Sequence, residues 1–356
     1  MNHGKGTKIG LRNNLVIKVM KRNILIISFL FGGTLLSQPI NSQSQLQKAN
    51  LGGVVLENGT VLNNCQLAYR TFGTLNNDRS NAVLFPAWLG GTSEMLTGFI
   101  GKEKFVDDTK YFVIAVDPLG NGVSTSPSNY SGLAEREFPI YTIGDMVKTE
   151  YLLLTKVLGI QQLYGVIGMS MGGHEVFEWI VSYPSFVKKA VSIVGTPRMT
   201  GYEQLYWQTQ LEIFKAFQNC DSCDAGRFLS LWLSLFAYSS EYQNTIIQPG
   251  GINQFMDQIS RVDLNINDYC SQIRALQSHD VIPKGSGSFS QAASLVKAEL
   301  MIIAEMKDLI CNPNSAIEFA GLVGGKINKL SNPCGHISFV CETGLYSDLV
   351  RRFFSD

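Results

Sequence analysis

The chain has 356 residues, and its 29 basic and 29 acidic side chains give a formal net charge of zero at pH 7. Hydrophobic residues make up 45% of the sequence and charged residues only 16%, which is typical of a folded globular protein and excludes a disordered chain. The neutral balance provides no basic surface for nucleic acid or anionic lipid, so no nucleic-acid partner is expected.

The N-terminal segment carries only basic charge. No Asp or Glu precedes Glu57, and the basic pair Lys21-Arg22 is followed by an apolar run from Ile24 to Leu36. This run is too short for a stable membrane span, which needs about 20 residues, but it suits a signal peptide with small residues for cleavage at Ser42-Gln43-Ser44. We therefore expect residues 1–44 to be an N-terminal extension and signal peptide, and the mature protein to be secreted or periplasmic. An uncleaved N-terminal anchor is the alternative.

From about residue 51 onward, short apolar runs alternate with amphipathic stretches. The first two runs flank Asn58-Gly59, a tight-turn signal, and predict an antiparallel hairpin. The later runs are continuously apolar, as expected of strands buried on both faces of a parallel sheet. The strands predicted after the hairpin are Ala82 to Phe85, Tyr111 to Val116, Leu163 to Ile167, Ala190 to Val194, Leu300 to Ala304 and Lys326 to Leu330. This order, with helical patterns between strands, predicts an α/β fold with a mostly parallel central sheet flanked by helices.

One segment interrupts the alternation. Residues 199–280 contain no convincing strand but several helical patterns, and aromatic residues are concentrated between 199 and 245. We predict a helical cap over residues 199–280, inserted into a core formed by residues 45–198 and 281–356. Most of the aromatic side chains are expected to pack the cap's own small core, and a few to line an apolar pocket.

The pentapeptide Gly168-Met169-Ser170-Met171-Gly172 lies between a predicted strand and a predicted helix. A sharp strand-to-helix turn of the G-x-S-x-G type exposes the serine oxygen and needs glycines beside it to relieve clashes. The Met171 amide starts the helix, where the helix dipole favours negative charge, so it can donate to an oxyanion. Ser170 is therefore the predicted nucleophile of an acyl-transfer reaction.

A serine nucleophile needs a base within hydrogen-bond reach and a third group that orients the base. Of the four histidines, His336 follows the last predicted strand at the carboxyl end of the sheet and is the predicted base. The other three lie in the N-terminal extension, on the helix after the serine and at the end of the cap: His3, His174 and His279. The orienting acid should follow a strand between Ser170 and His336. Asp308 fits this position, with Glu305 and Asp280 as rivals.

A second oxyanion donor should come from the loop after the strand Ala82 to Phe85. Within Pro86-Ala87-Trp88-Leu89-Gly90-Gly91, the backbone amide of Trp88 is the predicted donor.

The seven cysteines cannot all pair within the chain. Cys220 and Cys223 lack a second pair or a nearby histidine for a metal site, so a local disulfide or two free thiols are expected. Cys311 and Cys334 flank the predicted acid and base loops, and in an exported protein we expect a bridge between them. No metal and no bound cofactor are expected.

Further stretches carry a family resemblance. They include Tyr69-Arg70-Thr71-Phe72-Gly73-Thr74-Leu75-Asn76, Asp117-Pro118-Leu119-Gly120-Asn121-Gly122 and Gly168 to Pro184. Over about 50–198 and 298–345 the chain resembles the homoserine O-acetyltransferase family of α/β-hydrolase-fold proteins, whereas the cap matches poorly. The resemblance implies a Ser-Asp-His triad at Ser170, Asp308 and His336 and an acyl-serine intermediate.

Two positions differ from that family. The family's aspartate after the catalytic histidine, which holds the substrate's amino group, is replaced here by Ile337. The family's cap arginine, which binds the substrate carboxylate, corresponds to Leu231, and Arg227 lies one helical turn too early. Because a zwitterion needs both of its charges matched in a binding site, homoserine is not the expected acceptor.

The sequence therefore predicts serine-dependent acyl transfer, and hydrolysis of a small-molecule carboxylic ester is the favoured reaction. The alternative is a CoA-dependent O-acetyltransferase that uses acetyl-CoA as co-substrate and a hydroxyl acceptor other than homoserine. Export favours water as acceptor, since acetyl-CoA is a cytosolic donor. A binding protein without catalysis is the remote alternative. The expected partner is a small-molecule ester or acyl substrate, and the sequence fixes no oligomeric state.

Overall fold

The computed structural model describes residues 45–356 except 219, 221, 264 and 283–286. The predicted extension and signal peptide, residues 1–44, therefore lie outside the described residues. Within the described part, every helix is too short or too polar to cross a bilayer.

The centre of the molecule is one sheet of eight strands. The strands are β1 Gln47–Val55, β2 Val61–Phe72, β3 Ala82–Pro86, β4 Phe112–Asp117, β5 Leu163–Met169, β6 Val187–Ile193, β7 Glu299–Glu305 and β8 Lys326–Leu330. Their order across the sheet is β1-β2-β4-β3-β5-β6-β7-β8. The pairs β1–β2 and β2–β4 are antiparallel and the remaining neighbours are parallel. The predicted α/β class, strand set and N-terminal hairpin are confirmed.

The hairpin turn follows its sequence signal. Val55 pairs with Val61, and the Leu56 amide donates to the Thr60 carbonyl across the turn. Gly59 has a φ of 85°, a conformation that residues with a Cβ rarely adopt. The parallel strands are apolar because both of their faces are covered; all five residues of β3 are buried.

Helices cover the sheet and fill the connections. They are α1 Ile143–Leu152, α2 Met171–Ser182, α3 Gly201–Phe217, α4 Ala225–Phe236, α5 Ser240–Ile246, α6 Ile252–Gln258, α7 Ile266–Gln277, α8 Phe289–Leu295, α9 Pro313–Val323, α10 Ser338–Cys341 and α11 Thr343–Ser355. Helix α1 begins at a capping box, in which Thr142 and Asp145 exchange hydrogen bonds. Helix α2 packs on β5 and β6, which fixes the turn between β5 and α2.

Helices α3 to α7 lie in the connection between β6 and β7, ahead of α8, and we call them the helical segment. Its aromatic side chains pack mainly against one another. The ring centroid of Phe214 lies 5.6 Å from the centroids of Phe228 and Tyr269, and the centroids of Tyr206 and Trp232 are 5.5 Å apart. As predicted, most of these rings build a small core of their own. Each such pair adds about 0.5–1.5 kcal/mol beyond the burial of its apolar area.

Candidate active site

Ser170 occupies the turn between β5 and α2. Its φ of 54° and ψ of −120° are unusual for a residue with a side chain, at a cost of about 1–3 kcal/mol. The flanking glycines have no room for a side chain: a Cβ on Gly168 would lie 2.1 Å from the Gly172 carbonyl oxygen, and one on Gly172 would lie 2.6 Å from the Pro86 carbonyl oxygen. The strand-turn-helix context predicted from the pentapeptide is present, and it raises the serine oxygen above the sheet edge.

Three side chains from three strand ends form a continuous chain of hydrogen bonds. The distance from His336 Nε2 to Ser170 Oγ is 2.9 Å, and that from His336 Nδ1 to Asp308 Oδ2 is 2.7 Å. The Asp308 carboxylate accepts a hydrogen bond from Nδ1–H. The proton of the neutral ring is thereby held on Nδ1, and Nε2 is left free to accept a proton from the serine. The Asp308 and His336 side chains are only 1% and 8% exposed, so water competes little for these bonds.

Backbone amides hold Asp308 in place. Its Oδ1 accepts hydrogen bonds from the amides of Ile310 at 2.7 Å and Cys311 at 2.9 Å. One carboxylate oxygen is thus fixed by the loop after β7 while the other faces His336.

The two rivals of Asp308 have other places. The buried Glu305 accepts the Asn332 amide with both of its oxygens, at 2.9 and 3.0 Å, and the Lys307 amide with Oε1. Glu305 therefore joins the loop after β7, which carries Asp308 (the acid loop), to the loop after β8, which carries His336 (the base loop). Its position at a strand end did not by itself predict this contact. Burial raises the pKa of Glu305. Asp280 is exposed and accepts the Ile282 amide at the end of the helical segment.

The remaining described histidines are buried behind the serine. His174 Nδ1 donates to the Ser170 carbonyl oxygen at 2.7 Å, and burial lowers the pKa of His174 to about 4. His279 lies with its ring centroid 5.5 Å from that of His174, and burial lowers its pKa as well. Both rings are neutral at pH 7, and the structure brings only His336 among the described histidines to the serine hydroxyl.

Ser170 and His336 lie in an apolar pocket of about 640 Å³, part of which is open to solvent. The sheet loops and the helical segment contribute almost equally to its wall. The other lining residues are Trp88, Leu89, Ile310, Ile337 and Phe339 from the loops and Trp207, Leu233, Ala237, Tyr238 and Tyr269 from the helical segment. Within the described chain, the pocket wall contains no Asp, Glu, Lys or Arg.

The two departures from the homoserine-binding pattern are visible in this wall. Ile337 lies in the pocket at 2% exposure, where a charged aspartate would be needed. Leu231 does not line the pocket, and Arg227 is exposed and donates to the Met256 carbonyl oxygen. A zwitterionic amino acid would therefore enter a pocket that matches neither of its charges.

The backbone near the serine contains two amides suited to an oxyanion. Met171 is the first residue of α2, so its amide has no partner within the helix. The Ala87 amide donates to the Val116 carbonyl at 3.1 Å. The next residue, Trp88, lines the pocket, and its amide has no acceptor among the described groups.

The structure corrects the expected bridge between Cys311 and Cys334. Cys334 pairs instead with Cys341, and Cys311 is a free, buried thiol. The Cys311 sulfur lies within 4.8 Å of a ring nitrogen of His336 and a carboxylate oxygen of Asp308, and burial raises the pKa of its thiol. Cys220 and Cys223 form a local disulfide, the first of the two states expected for them.

Two overlapping clusters have the composition of a metal site, and in each the ligand atoms lie within 4.8 Å of one another: His174, Glu203 and Cys311, and Asp308, Cys311 and His336. In the second cluster, His336 Nδ1 and Asp308 Oδ2 are hydrogen-bonded to each other. The Glu203 carboxylate is already engaged, because it accepts the amides of Thr200 at 2.8 Å and Asn312 at 3.1 Å. Glu203 thereby caps α3 and joins it to the acid loop, so its position is explained by the fold.

Comparisons with known proteins identify the family of the chain. A model of the alpha/beta hydrolase fold family matches residues 82–342. The chain is 33% identical to an ethyl acetate hydrolase of Pseudomonas veronii, over 71% of this chain and 78% of that protein. It is 29% identical to a homoserine O-acetyltransferase of Pelobacter propionicus, over 85% and 93% of the two chains.

A solved structure of an acetylester hydrolase from Corynebacterium glutamicum superposes with a TM-score of 0.80 at 28% identity, covering 88% of this chain and 97% of that one. The resemblance to homoserine O-acetyltransferases is thus confirmed, with esterases as further relatives. The chain is an enzyme that belongs to the α/β-hydrolase fold family.

Proposed function

We propose that the protein hydrolyses small, uncharged carboxylic esters through an acyl-enzyme on Ser170. The observation that carries the proposal is the hydrogen-bonded chain Ser170–His336–Asp308 inside an apolar pocket without charged walls. Such a chain can activate the serine, and such a pocket accepts neutral acyl and alcohol groups while leaving a charged substrate unmatched.

The first half of the reaction forms the acyl-enzyme. Ser170 Oγ attacks the ester carbonyl carbon as His336 Nε2 takes the hydroxyl proton, and Asp308 stabilises the imidazolium through Nδ1–H. The backbone amides of Met171 and Trp88 donate to the oxyanion of the tetrahedral intermediate. The intermediate then collapses, the C–O bond to the alcohol breaks, and His336 returns the proton to the leaving alkoxide.

The second half releases the acid. His336 removes a proton from a water molecule, which attacks the acyl-Ser170 carbonyl carbon and forms a second tetrahedral intermediate in the same oxyanion site. Collapse breaks the bond to Ser170 Oγ, which regains its proton from His336, and the carboxylic acid leaves. Ser170 accepts and releases one acyl group per cycle, so no cofactor is consumed.

Short acyl groups are the proposed substrates. Two relatives carry names that refer to acetate esters, the ethyl acetate hydrolase and the acetylester hydrolase. The rings of Trp88, Trp207 and Phe339 lie in the pocket wall together with Ser170. The names of these relatives and the bulky side chains of the wall support a preference for two- to four-carbon acyl groups.

The second candidate is transfer of an acetyl group from acetyl-CoA to an alcohol. It is favoured by the 29% identity to a homoserine O-acetyltransferase over most of both chains, and the same three side chains would serve either acceptor. Ile337 in place of a charged group argues that the acceptor of such a transfer is an uncharged alcohol.

The test supplies the purified protein with p-nitrophenyl esters of increasing acyl length, and separately with acetyl-CoA and neutral alcohols. We expect turnover of p-nitrophenyl acetate and butyrate, little release of CoA, and loss of both reactions in Ser170→Ala. Rapid CoA release that depends on an added alcohol, with no ester turnover in water, would refute hydrolysis and support acetyl transfer to an alcohol.

We further propose that the protein acts outside the cytoplasm. Two disulfides among the described cysteines support this, since such bonds persist mainly in oxidising compartments. Determination of the N-terminal residue of protein recovered from the periplasm or medium tests the proposal. A start near residue 45 is expected, whereas protein found only in the cytoplasm with an intact N-terminus would contradict it.

A further inference from the structure

The Cys334–Cys341 disulfide closes a short ring of backbone around the base of the proposed triad. His336 lies inside this ring, together with Ile337 and Phe339 of the pocket wall. Every side chain that the base loop contributes to the site is therefore held between two bonded cysteines.

The N-terminal side of the ring has strong anchors besides the disulfide. The Cys334 amide donates to Asn332 Oδ1 at 2.8 Å, and Asn332 is held in turn by Glu305. The Pro333 carbonyl oxygen accepts the amide and the hydroxyl of Ser239, at 3.2 and 2.6 Å. This side would remain in place if the bridge were broken.

The C-terminal side is joined to the anchored N-terminal side by the bridge and is held to α11 by side-chain bonds. The Ser338 and Tyr346 hydroxyl oxygens lie 2.5 Å apart, and Thr343 Oγ1 donates to the carbonyl oxygens of Phe339 and Val340. Helix α10, Ser338–Cys341, has four residues, which is too few for a helix to be stable on its own. Phe339 is buried at 2% exposure and lies 6.1 Å from Phe99, ring to ring. Breaking the disulfide is therefore expected to loosen the segment from His336 to Cys341 without unfolding the protein.

We propose that the Cys334–Cys341 bridge is a positioning element for His336, which makes the activity of the enzyme dependent on the redox state of this bridge. The inference rests on the proposed function. His336 must hold its 2.9 Å contact to Ser170 and its 2.7 Å contact to Asp308 at the same time. A displacement of about 1 Å in such a constellation costs on the order of 10²-fold in rate.

The bridge is open to attack from one side. Cys334 is 4% exposed, whereas Cys341 is partly exposed at the start of the connection to α11. A thiolate of an external dithiol attacks the Cys341 sulfur, and Cys334 leaves and takes up a proton. In the mixed disulfide between the reagent and Cys341, the reagent's second thiolate attacks the reagent's first sulfur. The Cys341 thiolate leaves and takes up a proton, and the reagent becomes a cyclic disulfide. Two electrons and two protons pass from the dithiol to the bridge.

The chain offers a matched control. The disulfide Cys220–Cys223 joins the end of α3 to the start of α4, and neither cysteine lines the pocket. Two double variants are compared with the wild type, Cys334→Ser/Cys341→Ser and Cys220→Ser/Cys223→Ser. The measurements are kcat and KM for p-nitrophenyl acetate and the rate at which a fluorophosphonate labels Ser170.

For Cys334→Ser/Cys341→Ser we expect kcat to fall on the order of tenfold to 10²-fold, with a smaller change in KM, and labelling to slow by a similar factor. The control pair should stay within about twofold of the wild type in all three quantities. Dithiothreitol should reproduce the loss in the wild type, and reoxidation should reverse it. The reagent test also covers the case in which the double variant does not fold.

Two results overturn the inference. One is that kcat and the labelling rate stay unchanged after reduction of Cys334–Cys341, and the other is that kcat falls equally in Cys220→Ser/Cys223→Ser. The labelling rate separates this inference from the proposed function, because it reports the activation of Ser170 whatever group accepts the acyl chain. A wild type that hydrolyses no ester but loses labelling on reduction would refute the hydrolysis and support the positioning role. A wild type that is not labelled in either state would refute both.

Discussion

The loops at the carboxyl end of the sheet and the helical segment α3 to α7 contribute to the same pocket in different ways. The loops place Ser170, Asp308 and His336 through a chain of short hydrogen bonds and an unusual backbone conformation at Ser170. The helical segment contributes apolar and aromatic side chains such as Trp207 and Leu233. Under the proposed function, the loops would determine which reaction is possible and the helical segment which substrates fit.

The same division separates the regions in which the sequence predicted family resemblance. The stretches predicted to resemble homoserine O-acetyltransferases fall in the sheet and its loops, and the helical segment was predicted to match poorly. A Ser-His-Asp triad can pass an acyl group to water or to an alcohol, so one arrangement suits relatives with either activity. Specificity then depends on wall residues, among which Ile337 belongs to the loops and Trp207 to the helical segment.

The largest expected effect tests the loops. Asp308→Asn keeps an oxygen that can accept the amides of Ile310 and Cys311, but it no longer fixes the His336 tautomer or stabilises the imidazolium. We expect kcat to fall on the order of 10⁴-fold, by the same factor for acetyl and butyryl esters. Steady-state kinetics with both esters provide the measurement.

Asp280→Asn is the matched control, because this exposed carboxylate lies outside the triad, and it should leave kcat within about twofold. Two results would contradict the assignment of the chemistry to the loops. One is an Asp308→Asn variant that keeps a tenth or more of the wild-type kcat, and the other is a strong change in its ratio of kcat for acetyl and butyryl esters.

A smaller effect tests the helical segment. Trp207 lines the pocket from α3 and is 4% exposed. Trp207→Leu removes ring atoms next to the substrate, and each additional buried CH₂ of an acyl chain contributes about 0.8 kcal/mol. We expect kcat/KM for p-nitrophenyl hexanoate, relative to acetate, to rise on the order of tenfold.

Trp232→Leu on α4 is the control, because Trp232 packs against Tyr206 and Phe228 and is not in the pocket wall. It should lower thermal stability without changing the ester ratio. A changed ratio in Trp232→Leu, or an unchanged one in Trp207→Leu, would show that selectivity does not follow the pocket wall.

The sequence predicted the parts of the site that depend on local pattern or on chain order. Ser170 was predictable because its turn needs glycines at fixed positions, and His336 because it follows the last strand. Glu305 is different: its role depends on the Asn332 amide that arrives from the neighbouring strand end, which no local pattern encodes. The pairing of Cys334 with Cys341 depends likewise on the short helix α10, which brings the two Cα atoms to 6.6 Å, so chain position alone favoured the wrong partner.

Two carboxyl groups of the core are buried against each other, whereas others lie at the surface. Glu150 on α1 and Glu175 on α2 are both fully buried and interact with each other below the Ser170 turn, with Trp179 Nε1 donating to Glu150 at 2.7 Å. Burial raises the pKa of both groups, that of Glu150 to about 7. Glu212 on α3, by contrast, is exposed and bonds only to Gln208 among the described side chains.

The smallest expected effect follows from this pair. Because its folded-state pKa values are raised, its contribution to stability is complete below the ordinary glutamate pKa and is lost as the pH rises through about 7. We expect the free energy of unfolding to fall by on the order of 1–3 kcal/mol between pH 5 and pH 8. Glu150→Gln keeps the shape and an oxygen for Trp179 Nε1 but cannot ionise, so it should reduce this slope and raise the melting temperature at pH 8. Glu212→Gln should keep the wild-type slope, and an unchanged slope in Glu150→Gln would place the pH dependence outside the core pair.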